Sequence, residues 1–323
     1  MTTDLSSFPQ ATLCGSGGSV KAVVFLPDAE KGFYRATRFD WSGMVGWVQA
    51  AGHSFYGPWR TPHDPLNYEH GIGPCEEFGL ELAPPLWNTA QAGEGFVKIG
   101  VGVLQKPTRD EYFAMMRAME ATPRDENIYE FRLPYRFLRP GQWDISQGSD
   151  WIEFRQRLAF GPVGYDYTKR ISLAGGAGAM LRVEHALANT GTLAIATQHY
   201  CHNFIRIDDA PIGRGYRVSL PFDSGQIALN GCASVAGREI VFTRDLDGRK
   251  LWTRLAGFDS ADASHAGFTL TAPGGGSVTV RVDRPPAKFN FYAERTAACP
   301  EPFTAIDLPP GRHMQWTITH AFA

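Results

Sequence analysis

The 323-residue chain has almost no net charge, with 31 Lys and Arg against 33 Asp and Glu, a formal −2 at pH 7. Without an excess of one sign it offers no electrostatic footprint for nucleic acid or an anionic membrane. No run approaches the roughly 20 apolar residues of a membrane span. The first ten residues are polar, with Asp4 and Pro9, and lack the basic start and apolar core of a secretion signal. Five cysteines, Cys14, Cys75, Cys201, Cys232 and Cys299, form no CxxC pair and no metal-finger spacing. An odd number cannot all pair internally, which fits a reducing compartment. These absences point to a cytoplasmic protein whose partner is a small, roughly neutral molecule. A Gly-x-Ser-x-Gly elbow, a phosphate loop and the dinucleotide glycine fingerprint are also missing, so the chemistries they mark have no signature here.

What the chain does contain is strand signal. Residues 19–25, 95–101, 128–133, 151–158, 180–187, 193–204, 239–243, 251–256, 268–272, 277–282, 289–293 and 314–322 are rich in β-branched and aromatic side chains, most alternating with polar ones. The 35 glycines and 22 prolines punctuate them, and turns such as Asn189-Thr190-Gly191 and Asp247-Gly248 link them as antiparallel hairpins. One helix is expected over 108–121, where Tyr112, Met115, Met116 and Met119 recur at helical spacing behind a Thr108 cap. With no linker, repeat or low-complexity tract, the simplest architecture is all-β: one domain over 1–323 built as a large antiparallel two-sheet sandwich. Aromatic residues reach 12%. They suit a β core, and their flat faces and polar tips also suit a sugar.

Chemistry-bearing side chains concentrate at Gln198, His199, Tyr200, Cys201, His202, Asn203 and Phe204. Period-two alternation puts His199, Cys201 and Asn203 on one face of a strand and Tyr200, His202 and Phe204 on the other, so a single histidine faces any one cavity. About ninety residues later Glu294 offers a carboxylate, the usual counterpart of a proton-moving imidazole. A second cluster, His70 to Gly79, reads as a Gly/Pro loop leading into a strand over 78–82. Its consecutive Glu76 and Glu77 are either solvated charge or groups that reach substrate hydroxyls or a divalent ion. Arg38 is a donor to substrate oxygens or the partner of Asp40. His70, Glu76, His199 and His202 would suit a metal by donor type, yet no HExxH or HxH spacing is present. Cys201 is a buried filler or a nucleophile beside His202.

The order Leu181-x-Val183, Leu187-x-Asn189-Thr190-Gly191, Ile195, His199-x-x-x-Asn203, Tyr292-Ala293-Glu294 and Leu308-Pro309-Pro310-Gly311 resembles the aldose 1-epimerase (galactose mutarotase-like) superfamily, as a divergent branch. The resemblance covers roughly residues 175 to 323, with weaker support from 38–56 and from His70-Gly71. It implies a β supersandwich that binds sugar, and an isomerase of carbohydrate metabolism that interconverts anomers without metal or other cofactor. Carried onto this chain, it makes His199 the general acid at the ring oxygen and Glu294 the base at the anomeric hydroxyl. His70, Arg38, Glu76, Glu77, His202 and Asn203 are the expected substrate-binding residues. Gln198, Cys201 and His202 depart from the family pattern. Because the fold also carries lyases and hydrolases, elimination or hydrolysis of a glycoside and sugar binding without catalysis stand as alternatives.

Overall fold

The computed structural model describes residues 5–122, 124–175 and 178–323. Their strands pair antiparallel throughout and form four hydrogen-bonded sheets, of four, eleven, five and three strands. The all-β antiparallel sandwich is as expected, although hydrogen bonding divides it into more than two sheets. In the eleven-stranded sheet the strand Ala179–Asn189 turns Leu181, Val183, His185 and Leu187 inward and leaves Arg182 and Glu184 toward solvent. That alternation follows from the pleat, and each large apolar side chain it buries contributes about 1.5–3 kcal/mol.

The five-stranded sheet runs in the order Leu251–Arg254, Lys288–Glu294, Ala297–Leu308, Ile195–Asn203 and Pro74–Phe78. Its inner face packs on the eleven-stranded sheet, with Phe78 against Tyr167 and Trp316. Its outer face is covered by an aromatic layer that includes Phe39, Trp59 and Phe204. Pro74–Phe78 is therefore buried on both sides along its whole length.

The expected helix is present as Arg109–Ala118. Thr108 accepts from the Glu111 backbone and Glu111 accepts from the Thr108 backbone, while Tyr112 and Met116 turn inward. Other elements depart from expectation. Residues 128–133 form turns in place of a strand, because Glu130 folds back onto Arg132 and the Leu133 amide donates to the Glu130 carbonyl. The strand expected over 78–82 lies earlier, at Pro74–Phe78, so Glu76 and Glu77 belong to the sheet; Gly79 and Leu80, at φ 106° and 66°, turn the chain out of it. Two long strands, Val163–Ala174 and Ala297–Leu308, lie outside the expected set. Lys169 interrupts the apolar alternation of the first, and Pro300 and Pro302 disguise the second.

Those prolines are accommodated by a break in the ladder. Ala297–Leu308 pairs with Ile195–Asn203 only through Phe303 to Leu308, and the two segments meet again at the Ile205–Ala298 bridge. In the gap Asn203 donates from Nδ2 to the carbonyls of Cys201 and Pro300, at 3.2 and 2.9 Å. The entry to Pro74–Phe78 is equally constrained. Gly73 sits at φ 59°, and a Cβ there would lie 2.0 Å from the Val45 carbonyl oxygen. Gly73→Ala should destabilise the protein by about 2 kcal/mol or more through backbone strain and displacement of this strand. Urea unfolding of the two proteins measures it, and an unchanged midpoint would refute it.

Candidate functional site

Alternation along Ile195–Asn203 sends its two histidines to opposite sides of the five-stranded sheet. His199 points between the sheets. Its Nδ1 accepts from Trp316 Nε1 at 3.1 Å, and its ring packs on Phe78 and His185. Glu76 faces the same layer, with Oε1 2.9 Å from His185 Nε2 and 3.9 Å from His199 Nε2, and with Lys169 in contact with its other oxygen. Lys169 also donates to the Ser42 carbonyl at 2.7 Å and lies 3.9 Å from Asp40. Burial alone would raise the Glu76 pKa, but His185 and Lys169 outweigh it and hold the carboxyl well below its ordinary range. Burial and the neighbouring His185 hold His199 far below the usual imidazole range.

One donor oxygen of Glu76 and one ring nitrogen each of His185 and His199 lie within 4.8 Å of one another. The hydrogen bonding argues against a metal there. The indole N–H can only donate, so His199 Nδ1 offers its lone pair to Trp316 and the neutral ring carries its proton on Nε2. That nitrogen is then no ligand, and Lys169 already supplies Glu76 with a cation. The cluster reads as a buried ionic and aromatic core.

The outer face carries a different arrangement. Glu77, adjacent to Glu76 but on the opposite side, accepts from Lys98 at 2.9 Å, Arg38 Nε at 2.9 Å and Tyr200 at 2.6 Å. Burial raises its pKa, and the charges of Lys98 and Arg38 with the Tyr200 hydrogen bond more than reverse that. Arg38 also donates to the Tyr200 hydroxyl and lies between the rings of Phe39 and Phe131. Arg38 thus pairs with Glu77 and not with Asp40, which is occupied by Ser42 and Tyr167.

Above this network lies a cavity of about 240 Å³, lined by Arg38, Trp59, His202, Asn290, Tyr292 and Glu301, with Leu80, Glu81, Glu69, Phe131 and Trp252 around them. His202 and Glu301 flank the break in the ladder, with Nε2 and Oε1 3.4 Å apart. His202 Nδ1, Glu301 Oε1 and Asn290 Oδ1 are buried without a hydrogen-bond partner, an uncommon and costly state for polar atoms. Burial pushes the Glu301 carboxyl up to about 8, aided by Glu77 and only partly opposed by Arg38 and Lys288. Burial and the Arg38 charge push His202 well below 6.5. At neutral pH the pair is a carboxylic acid beside a neutral imidazole.

No family model matches the sequence, and no curated protein matches it. Solved structures do match along nearly the full length. Slr1438 from Synechocystis sp. PCC 6803 aligns over 98% of this chain and 96% of its own, with a TM-score of 0.57 and 11% identity. A putative aldose 1-epimerase from Escherichia coli K12 aligns over 97% and 99%, at 0.51 and 13%. A galactose mutarotase-like protein from Lactobacillus casei aligns over 97% and 100%, at 0.50 and 12%. The chain has the galactose mutarotase-like fold.

Within this galactose mutarotase-like fold the expected pairing of His199 with Glu294 is not formed. His199 lies between the sheets, whereas Glu294 is on the outer face, where Arg60 grips both carboxylate oxygens and Tyr292 and Thr296 donate at 2.8 and 2.7 Å. Burial raises the Glu294 pKa, but these partners hold it below the ordinary value. Its acceptor sites are spent. His70 is half-buried in a loop, with Nδ1 accepting from the Asp64 backbone at 2.9 Å, and does not line the cavity. Glu76 and Asn203 face inward. Glu76 and Glu77, expected either as solvated charge or as substrate ligands, are both buried and ion-paired. Cys201 packs between the sheets with its thiol pushed well up by burial, as a filler would. Of the expected residues, Arg38 and His202 line the cavity, with Glu77 beneath them.

Glu301 escaped sequence reading because prolines on both sides hid its strand; a lone acidic residue between two prolines is the signal it left. Trp59 and Asn290 left none. The Glu77 network yields a stability prediction. Glu77→Gln leaves Lys98 and Arg38 without their counter-charge and should cost about 3 kcal/mol or more. The folded-state pKa of Glu77 lies below the ordinary 4.5, so its contribution is complete above that pH and is lost as pH falls through the folded value. Denaturant unfolding between pH 3 and 7 should show a shallower acid-side slope in the variant, and equal slopes would refute it.

Proposed function

We propose that this protein is a carbohydrate-active enzyme of the aldose 1-epimerase type, interconverting the anomers of a free sugar with His202 and Glu301 as the catalytic pair in place of His199 and Glu294. The observation that carries the reading is the placing of two buried titratable groups 3.4 Å apart, each with an unpartnered polar atom, in one small aromatic-lined cavity. Burial keeps a proton on Glu301 and keeps one off His202.

Opening a pyranose hemiacetal requires removal of the proton on the C1 hydroxyl and delivery of one to the ring oxygen. Both oxygens sit on the same carbon. A base and an acid 3.4 Å apart can serve both at once. His202 accepts the hydroxyl proton as the C1–O bond gains double-bond character. Glu301 donates to the ring oxygen as the bond from C1 to that oxygen breaks. Rotation about C1–C2 and the reverse transfers close the other anomer and return both groups to their starting states. Arg38, whose charge is fixed, and the open acceptor of Asn290 are suited to orient ring hydroxyls, and Trp59 supplies an apolar wall. The similar E. coli aldose 1-epimerase-type and L. casei mutarotase-like structures support this reading.

Glu301→Gln and His202→Ala should each lower kcat for anomer exchange by about 10²-fold or more. His199→Asn should retain exchange and lose stability. The base must be neutral and the acid protonated, so activity should hold from well below pH 6.5 up to the Glu301 titration at about 8 and fall beyond it. Polarimetry or NMR exchange on freshly dissolved aldoses measures all three. Full exchange in Glu301→Gln, or activity that rises through pH 8 to 9, would sink the assignment. No exchange in the native protein with any aldose would favour a binding protein, and release of a product from a glycoside would favour hydrolysis or elimination.

A further inference from the structure

The cavity becomes more open in one direction, toward a side chain that the acid/base reading leaves unused. His202, Glu301 and Asn290 on its floor are 7, 4 and 2% exposed, whereas Trp252 at its mouth is 59% exposed. Trp252 stands on the edge strand Leu251–Arg254, directly across from Tyr292, so both side chains project from the outer face of the sheet. Trp59, Phe131 and Tyr292 in the same cavity each have ring or cation partners. The Trp252 indole has no ring, cation or hydrogen-bond partner among the described residues. Beside it, Glu81 accepts from Arg254 at 3.0 Å and from Lys288 at 3.1 Å, and the Arg254 and Glu81 side chains are about half exposed at the mouth.

Size decides what reaches that indole. The cavity, at about 240 Å³, is smaller than the roughly 300–1,000 Å³ of most small-molecule sites, and accommodates one sugar ring. Whatever is attached to that ring continues past the mouth and over Trp252. The apolar C–H face of a pyranose matches an indole face, and its hydroxyl edge matches the neighbouring ion pair. We propose that Trp252 is the platform of a second sugar subsite and that the substrate class is a reducing di- or oligosaccharide. The reducing-end ring occupies the floor at His202 and Glu301, and the next ring stacks on Trp252. This proposal rests on the anomer-exchange reading.

The test compares anomer exchange of maltose, cellobiose and lactose with that of glucose, in the native protein and in Trp252→Ala and Trp252→Phe. At least one disaccharide should show a KM about tenfold below that of glucose. Trp252→Ala should raise that KM about tenfold with little change in kcat, shift the glucose KM by less than threefold, and be largely rescued by Trp252→Phe. Equal KM values for glucose and all three disaccharides in the native protein, or a Trp252→Ala effect on glucose as large as on the disaccharides, overturns the subsite. If no sugar exchanges, calorimetric titration of the native protein and Trp252→Ala with the same disaccharides separates the two ideas. Trp252-dependent binding without exchange retains the subsite and removes the epimerase reading, and binding that ignores Trp252, or no binding, removes the subsite.

Discussion

Two carboxylates in succession on a strand buried on both sides, Glu76 and Glu77, constrain everything around them. The pleat sends them to opposite faces, so neither helps to solvate the other and each needs its own cations. Between the sheets Glu76 takes Lys169 and His185; on the outer face Glu77 takes Lys98 and Arg38. Those partners come from segments far apart in the chain, and holding them fixes how the eleven-stranded sheet, the five-stranded sheet and the outer aromatic layer sit against one another. Hydrophobic residues of similar volume would pack these layers at least as favourably. What the charges add is register: a slip of one residue in Pro74–Phe78 would exchange the two carboxylates between faces and leave each beside the other's partners.

The same pleat explains why the cavity uses His202. Residues 199 and 202 differ by an odd number, so they face apart in any regular strand, and the deeper layer already holds the Trp316 and Glu76 partners that absorb His199. The outer histidine then meets Glu301 because the ladder is open there. Prolines at 300 and 302 lack the N–H groups that continuous pairing would require, and Asn203 spans the opening with its amide. A defect in the sheet, stabilised by one side chain, thus brings two titratable groups together without either completing a hydrogen bond.

Much of this was legible in the chain, and the failures have physical causes. Alternation identified most strands and the Thr108 cap located the helix, because those signals are local. Alternation also established that only one of His199 and His202 can enter the cavity. Which one does depends on what packs on each face, and that is decided by Lys169, Trp316 and Trp59, none of them near residue 200 in sequence. The resemblance in motif order led to the correct fold but joined His199 to Glu294, which lie on opposite sides of the sheet, since matched spacing along a strand does not specify which side of the sheet is solvent-accessible. Glu301 was concealed by its prolines, and Glu294 looked available only because the partners that saturate it, Arg60 above all, lie elsewhere in the chain.

The protonation of Glu301 follows from how Arg38 is committed. A guanidinium near a buried carboxyl ordinarily keeps it ionised, and Arg38 does favour that outcome here. Its Nε and Nη2 donors, however, are directed at Glu77 and Tyr200, so Arg38 acts on Glu301 through its charge and not through a hydrogen bond. It also feels the Glu77 charge of its own sign. Removing water from the cavity then leaves the neutral acid as the more stable form. Glu77 thereby does two things from beneath the cavity floor: it anchors Arg38 through a hydrogen bond that Glu301 does not receive, and it adds a like charge to the burial that dominates the Glu301 shift.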